Sequence, residues 1–312
     1  MKDLLEIIIP TYNRKVHIER TLLQLTAANS PVKDCQITVL DNASTDGTTE
    51  IVKGLAARHS NIKYIRHRKN IGGNANIARA YETATFPYVW VICDDDSFKW
   101  DSWPEIENAL RTGDYDLLLT RKEEMRNTSD IARIYKQCSF VPACIYKTSV
   151  ITETVLINMH NNVTFLFPHL VLACAVFNKK GRIFLPQGEI MDKCTLAEDV
   201  YDEGYTRGAK GYMPAYRADM FFTAGFLLST QMIEDKKLRN YVLDHVGGHG
   251  FCGYIIAAFR DNYKFYNSSK LNEQLVRSWL DFRHKIEFDI ARIILKLMFL
   301  FPVKKPRNRK LK

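Results

Sequence analysis

Three consecutive carboxylates, Asp94, Asp95 and Asp96, follow directly on the apolar run Tyr88-Val89-Trp90-Val91-Ile92-Cys93. An unbroken apolar run of this kind reads as a strand covered on both faces, in the middle of a parallel sheet. The acids then fall at the carboxyl edge of that sheet, where open α/β sheets bind ligands. Adjacent carboxylates repel one another, and burying them is costly unless a cation or a set of donors offsets the charge. A hard divalent cation carrying a diphosphate would do so. A solvated acidic turn is the competing reading, and the triplet alone does not separate the two. Asp41 closes a second apolar run, Gln36-Ile37-Thr38-Val39-Leu40, where it can accept a hydrogen bond from a nucleobase N–H or cap the turn that follows. His169 opens an apolar helical stretch. A neutral imidazole there can take a proton from a hydroxyl or ligate a metal, or it can simply bond a backbone group.

These residues need elements that hold them. Leu4 to Pro10 is a β-branched-rich run ended by proline, so a first strand. Ile18, Leu22 and Leu25 have helical spacing up to about Ala28, and Asn29-Ser30-Pro31 breaks it. The second strand, ending at Asp41, leads through Asn42-Ala43-Ser44-Thr45-Asp46-Gly47-Thr48 into a helix marked by Ile51, Val52 and Leu55. Ile62 to Ile65 is a third strand, and the loop Asn70-Ile71-Gly72-Gly73-Asn74 enters a helix to about Tyr81. This alternation up to the triplet predicts a parallel sheet with right-handed crossovers. Further on, the pattern predicts a helix from Trp100 and Trp103, strands at 115–120 and 140–146, a helix near 148–158, a helix over 167–177 and a strand at 181–186. Trp100 and Trp103 suit either a sugar-binding floor or the core. Residues 188–216, which hold Glu198-Asp199, read as a lid or a surface loop. The rest is helical to about Phe301, broken at Gly247-Gly248-His249-Gly250.

Taken in order, Ile7-Ile8-Ile9-Pro10-Thr11-Tyr12-Asn13-Arg14, Val39-Leu40-Asp41-Asn42-Ala43-Ser44-Thr45-Asp46-Gly47-Thr48, Asn70-Ile71-Gly72-Gly73-Asn74 and Asp94-Asp95-Asp96 resemble the nucleotide-sugar half of a family 2 glycosyltransferase. The resemblance covers the first third of the chain closely and residues 97–190 loosely. It implies a GT-A fold over residues 1–215, a Rossmann-like, mostly parallel sheet flanked by helices. A helical C-terminal region, 216–312, would follow. The implied activity is metal-dependent, inverting transfer from a nucleotide diphosphate sugar, a UDP-sugar first among them. The acceptor would be a glycan or lipid-linked glycan hydroxyl in cell-surface polysaccharide or lipopolysaccharide synthesis. In that frame Asp96, with Asp94, binds Mn²⁺ or Mg²⁺, and Asp94 and Asp95 hold ribose or metal-bound water. Pro10, Thr11, Tyr12 and Arg14 line the nucleotide pocket, Asp41 meets the base, and Asn70, Gly73 and Asn74 touch ribose or phosphate. In the family an acidic pair opens the helix that carries the general base. Pro168-His169 stands there in this chain, so His169 is one candidate base and Asp199, in the later pair Glu198-Asp199, is the other.

Composition narrows the alternatives. The chain has 312 residues and a formal net charge of +9, six of those charges coming from Lys304, Lys305, Arg307, Arg309, Lys310 and Lys312. Basicity confined to a tail argues against a general nucleic-acid binder. Nucleotidyl transfer would call for a better phosphate-gripping loop than Thr11-Tyr12-Asn13. Seven cysteines without a CxxC pair suggest buried thiols in a reducing compartment. His245, His249 and Cys252 lack a fourth ligand for zinc. The expectation is a cytoplasmic protein with no signal peptide or membrane-spanning segment. Its last helix carries an apolar stripe at Ile286, Ile290, Ile293, Ile294, Leu297 and Phe301, and with the basic tail would hold it at the inner face of an anionic membrane.

Overall fold

In the computed structural model, the described residues are 1–121, 130–163, 167–192, 225–245, 250–260 and 270–300. Asp199, most of the stretch 188–216, His249 and the basic tail lie outside them. The first half contains β1 (Leu5–Thr11), α1 (Lys15–Thr26), β2 (Gln36–Asp41), α2 (Thr48–Ala56), β3 (Ile62–Arg66), α3 (Gly73–Glu82), β4 (Tyr88–Val91), β5 (Ser97–Phe98), α4 (Trp103–Thr112) and β6 (Leu117–Leu119). It continues with α5 (Ile131–Gln137), β7 (Cys144–Lys147), α6 (Glu153–Asn161), α7 (Leu170–Asn178), β8 (Ile183–Phe184) and β9 (Met191–Asp192). The seven-stranded sheet has the order β3-β2-β1-β4-β7-β6-β8. β1 to β4 are parallel, and β7 runs antiparallel between β4 and β6. The chain leaves β1 toward β2 and β3 on one side and returns to β4 on the other. That reversal opens a crevice at the carboxyl ends of β1 and β4.

The continuous apolar sequence of β1 follows from burial on both faces. Leu5, Ile7 and Ile9 pack with α1, α2 and α4, and Ile8 packs with α3, α5, α6 and α7. Each such side chain contributes roughly 1.5–3 kcal/mol. Glu6 interrupts the run but is satisfied. Its Oε1 accepts from Thr38 Oγ1 at 2.8 Å and its Oε2 from the Thr85 N–H at 3.1 Å.

Several expectations shift in detail. The run 140–146 is not one strand, because Pro142 has no N–H to give a ladder and Val141–Ala143 forms a 3-10 turn first. The helix expected near 148 begins at Glu153, where Thr152 accepts from the Val155 N–H. The helix expected over 167–177 begins at Leu170, after Pro168 and His169. α5, capped by Asp130, and the two-residue ribbon β5–β9 were not anticipated, the ribbon being too short for any periodicity to register.

The described C-terminal helices are α8 (Lys236–His245), α9 (Gly250–Arg260), α10 (Lys270–Trp279) and α11 (Phe282–Leu300). α11 packs inward through His284, Phe288, Ala291 and Leu295, against Phe251 and Ile255 of α9. His284 is fully buried and faces two carboxylates, Asp281 at 2.8 Å through Nδ1 and Asp244 at 3.1 Å through Nε2. The Arg283 guanidinium also lies 3.0 Å from Nε2, and through Asp244 the ring ties α11 to α8. No helix among the described residues is long and apolar enough to cross a membrane.

Candidate active site

The loop after β4 closes over the crevice. Ile92 still donates to the Ile8 carbonyl at 3.1 Å, which carries Asp94 alongside Thr11. Thr11 Oγ1 donates to Asp94 Oδ2 at 2.6 Å, and Arg14 reaches Asp94 Oδ1 at 3.4 Å and Asp95 Oδ2 at 2.5 Å. From α1, Arg20 donates to the Asp95 carbonyl at 2.7 Å and Thr21 to the Asp94 carbonyl at 2.8 Å. Asp96 folds back on its own turn, its Oδ2 accepting the Cys93 N–H at 2.7 Å.

Asp94 and Asp96 are 8% and 5% exposed. Burial pushes the Asp94 carboxyl up to about 6, against the pull of Arg14 and Thr11. Burial pushes Asp96 up to about 8, opposed by the Cys93 N–H and reinforced by the neighbouring carboxylates. Burial outweighs the pull of Arg14 on Asp94 and of Arg20 on Asp96. Ligand atoms of Cys93, Asp95 and Asp96 lie within 4.8 Å of one another. Burial and the three aspartates hold the Cys93 thiol in its neutral form, leaving carboxylate oxygens as the donors, which fits a hard cation such as Mg²⁺ or Mn²⁺.

The tip of β2 borders the same crevice, with Thr11 paired to Asp41 and Asp41 to Arg66 across the strands. Asp41 is fully buried, and its carboxylate is already engaged. Oδ1 accepts from the Ser44 N–H at 2.8 Å and the Ser44 hydroxyl at 2.5 Å. Oδ2 accepts from the Tyr64 hydroxyl, with Arg66 at 3.6 Å. Asn13, at φ 53°, ties the two loops by accepting from the Thr45 N–H at 2.7 Å. Pro10 lies within β1 beside this edge, and Tyr12 is half-buried.

Asn42 joins the glycine loop to β2. Its amide donates to Asn70 Oδ1 at 2.8 Å, and its oxygen accepts from the Ile71 N–H at 2.9 Å. Asn70 also accepts from the Gly72 N–H at 2.7 Å. Gly72 sits at φ 89°, a conformation that side chains rarely adopt, and this turn launches α3 at Gly73. A Cβ at Gly73 would meet nothing within 4 Å, so the first turn of α3 is open to a close-approaching ligand. Asn74 faces elsewhere and donates to the Val163 carbonyl at 2.8 Å.

His169 is 3% exposed, and its Nε2 lies 3.0 Å from the Ser139 carbonyl, which fixes the proton on that nitrogen. Nδ1 is left buried without a partner, and burial pushes the ring down to about 4. Trp103 is core, 1% exposed, and stacks on Trp90, while Trp100 is half-buried against Phe98. His245 bonds the Tyr241 carbonyl, and among the described residues it forms no metal cluster with Cys252.

The model of glycosyl transferase family 2 matches residues 6–170, more than half of the chain and the whole of the crevice just described. This chain belongs to that family. As a family 2 chain it is 32% identical over 121 residues to the abequosyltransferase RfbV of Salmonella typhimurium, a match covering 38% of this chain and 36% of that protein. It is also 32% identical over 93 residues to the GalNAc(5)-diNAcBac-PP-undecaprenol beta-1,3-glucosyltransferase of Campylobacter jejuni, covering 30% of this chain and 29% of that protein. These matches span about a third of each relative's length. The fold is shared more widely. S. aureus TarS 1-349, solved with UDP-GlcNAc, superposes with a TM-score of 0.62 at 15% identity, over 95% of this chain and 91% of that one. The mannosyltransferase PcManGT of Pyrobaculum calidifontis, solved with GDP-Man and Mn²⁺, superposes at 0.55 and 14% identity, over 96% and 88%. The mostly parallel sheet flanked by helices, with its C-terminal helices, is thus a GT-A fold.

Some residues of the crevice escape sequence reasoning. Thr21 carried a weak signal, a polar residue beside Leu22 inside the apolar stripe of α1. Asn42 and Ser44 lie in the motif after β2 without a role read for either, and Tyr64 carries no signal, because its partner Asp41 lies on another strand.

Proposed function

We propose that this chain transfers a sugar, with inversion, from a nucleotide diphosphate sugar to a hydroxyl of a glycan or lipid-linked glycan in cell-surface polysaccharide synthesis. One observation carries the reading: the carboxylates Asp94 and Asp96 lie buried at the carboxyl edge of the sheet, beside Thr11, Arg14 and the open start of α3. Two solved relatives of the fold hold UDP-GlcNAc and GDP-Man, the second with Mn²⁺, and the Campylobacter relative is named for an undecaprenol-linked acceptor. These support a UDP-sugar as the first donor to test and a lipid-linked acceptor.

In this proposal Asp96 and Asp94 would hold Mn²⁺ or Mg²⁺, which would neutralise charge on the departing diphosphate. Arg14 keeps Asp94 and Asp95 in place. Asp41, anchored by Ser44 and Tyr64, shapes the wall of the base pocket and meets the base N–H by sharing Oδ2 with Tyr64. The open first turn of α3 at Gly73 would receive the phosphate or ribose. Asp199 takes the proton of the acceptor hydroxyl as that oxygen attacks the anomeric carbon.

The experiment is a thermal-shift panel of UDP-, GDP- and dTDP-sugars with and without Mn²⁺. One donor is expected to raise Tm only when the cation is present. Equal shifts with and without cation would sink the metal assignment. No shift with any nucleotide sugar would sink the donor assignment. Gly73→Ala gives a second test. Open space around that position and the helical gain of alanine predict a stability unchanged or raised by up to about 1 kcal/mol. The donor KM is expected to rise. An unchanged KM would remove Gly73 from the donor pocket.

A further inference from the structure

The outer face of α11 is apolar and uncovered. Phe282, Ile286, Ile290, Ile293 and Leu297 are 80%, 46%, 45%, 59% and 51% exposed. Their spacing of three and four residues lines them up in a single stripe along a 19-residue helix. The stripe is not the margin of the core, because the inward residues His284, Phe288, Ala291 and Leu295 occupy the opposite face. Trp279, 51% exposed, precedes it. A contiguous apolar stripe on a protein surface marks a place of contact.

Charge says what it contacts. Lys285 and Lys296 border one side of the stripe, and Arg292 between them pairs with Asp289 at 3.9 Å. Of the acids nearby, Asp289 is paired with Arg277 at 2.8 Å and Glu287 with Arg283 at 3.8 Å. The sequence beyond α11 adds six Lys or Arg and no acid over residues 304–312. A second copy of this chain would bring the same basic border against itself, whereas a sheet of anionic headgroups complements it.

We propose that α11 lies flat on an anionic bilayer, its stripe in the headgroup–acyl boundary and its basic border and tail against lipid phosphates. The surface stands on its own geometry, and its use in presenting the crevice to a lipid-linked acceptor rests on the transferase reading. Of the stripe that the sequence sets against an anionic membrane, Ile286, Ile290, Ile293 and Leu297 are exposed, Ile294 is half-buried and Phe301 lies outside the described residues; Phe282 joins it. Truncation at residue 284 cannot test this, because it removes Phe288, Ala291 and Leu295 from the core.

The test is co-sedimentation of the full chain with phosphatidylcholine vesicles with and without phosphatidylglycerol, beside the double variant Ile290→Ser/Ile293→Ser and a chain ending at Leu300. The wild type is expected to bind only the anionic vesicles. The double variant should lose about tenfold in affinity with its circular dichroism and Tm unchanged, since both side chains lie outside the core. The shortened chain should lose most of its preference for phosphatidylglycerol. Wild-type binding by the double variant overturns the proposal, as does a stable dimer in light scattering that the same substitutions dissolve. All three proteins are also assayed for the donor-dependent Tm shift. Its loss in the wild type counts against the transferase reading and leaves the lipid surface standing.

Discussion

Asp96→Asn is expected to abolish sugar transfer, by about a thousandfold or more, in a protein that folds at least as well as the wild type. Asparagine keeps the shape of the side chain and an oxygen to accept the Cys93 N–H, now at 2.7 Å from Asp96 Oδ2, so the turn keeps its closure. Only the charge goes. In the native loop that charge is held at a cost, since burial moves the carboxyl from 3.8 up to about 8. A folded-state acid with a raised pKa binds more protons than the unfolded chain, so its stability contribution is complete below about pH 4 and is lost as pH rises toward about 8. Asp94 adds a smaller loss, complete by about pH 6. Without divalent cation the wild type should therefore lose Tm between pH 5 and pH 8, and Asp96→Asn should lose less. Mn²⁺ should restore the wild type at the upper end, where both carboxyls are ready to ionise, and leave the variant nearly unmoved. Tm against pH in EDTA and in Mn²⁺, with turnover measured alongside, decides the matter. Retained turnover in the variant, or equal stabilisation of both proteins by Mn²⁺, would end the case for a cation on this loop.

The same loop marks how far the sequence could be read. The strand that ends in three acids, the crossover helices and the turn-rich segment after Asp41 were legible because each rests on local chemistry: apolar period, proline and glycine punctuation, cap residues. Antiparallel β7 beside β4 was not, since a strand buried on both faces has the same composition beside a parallel or an antiparallel neighbour. The state of Asp41 was also invisible. Its partners Tyr64 and Arg66 lie on β3, and no spacing rule joins a tyrosine on one strand to an aspartate on the next. α11 was legible on one face only: the stripe that the sequence sets against a membrane surface is exposed at Ile286, Ile290, Ile293 and Leu297. The helix has two apolar faces about half a turn apart, and the sequence pattern picks out the one with more isoleucine. The structure buries the other, which contains a histidine and an alanine, because His284 finds Asp281 and Asp244 there.

The proton acceptor is the other place where a large effect is expected. Asp199→Asn should lower kcat by about a hundredfold to ten-thousandfold with little change in donor KM, and His169→Gln should leave kcat within about tenfold of the wild type. The argument starts from what a base needs, a lone pair that an acceptor hydroxyl can reach and a proton affinity matched to neutral pH. His169 meets neither in its described position. Nε2 is committed to the Ser139 carbonyl at 3.0 Å, Nδ1 is sealed from solvent, and burial pushes the ring down to about 4. Glutamine offers an N–H to the same carbonyl, so the start of α7 should stay anchored and the stability loss should be modest, about 1–2 kcal/mol. The family uses an acidic pair for this task, and Glu198-Asp199 is the pair that this chain supplies. A pH profile of kcat separates the roles, because its acid limb follows the base. In Asp199→Asn that limb should vanish along with most of the activity, and in His169→Gln it should persist. If His169→Gln instead loses both limb and rate while Asp199→Asn keeps them, the proton goes to Nδ1, and the helix start at Pro168 must open during turnover to admit the acceptor.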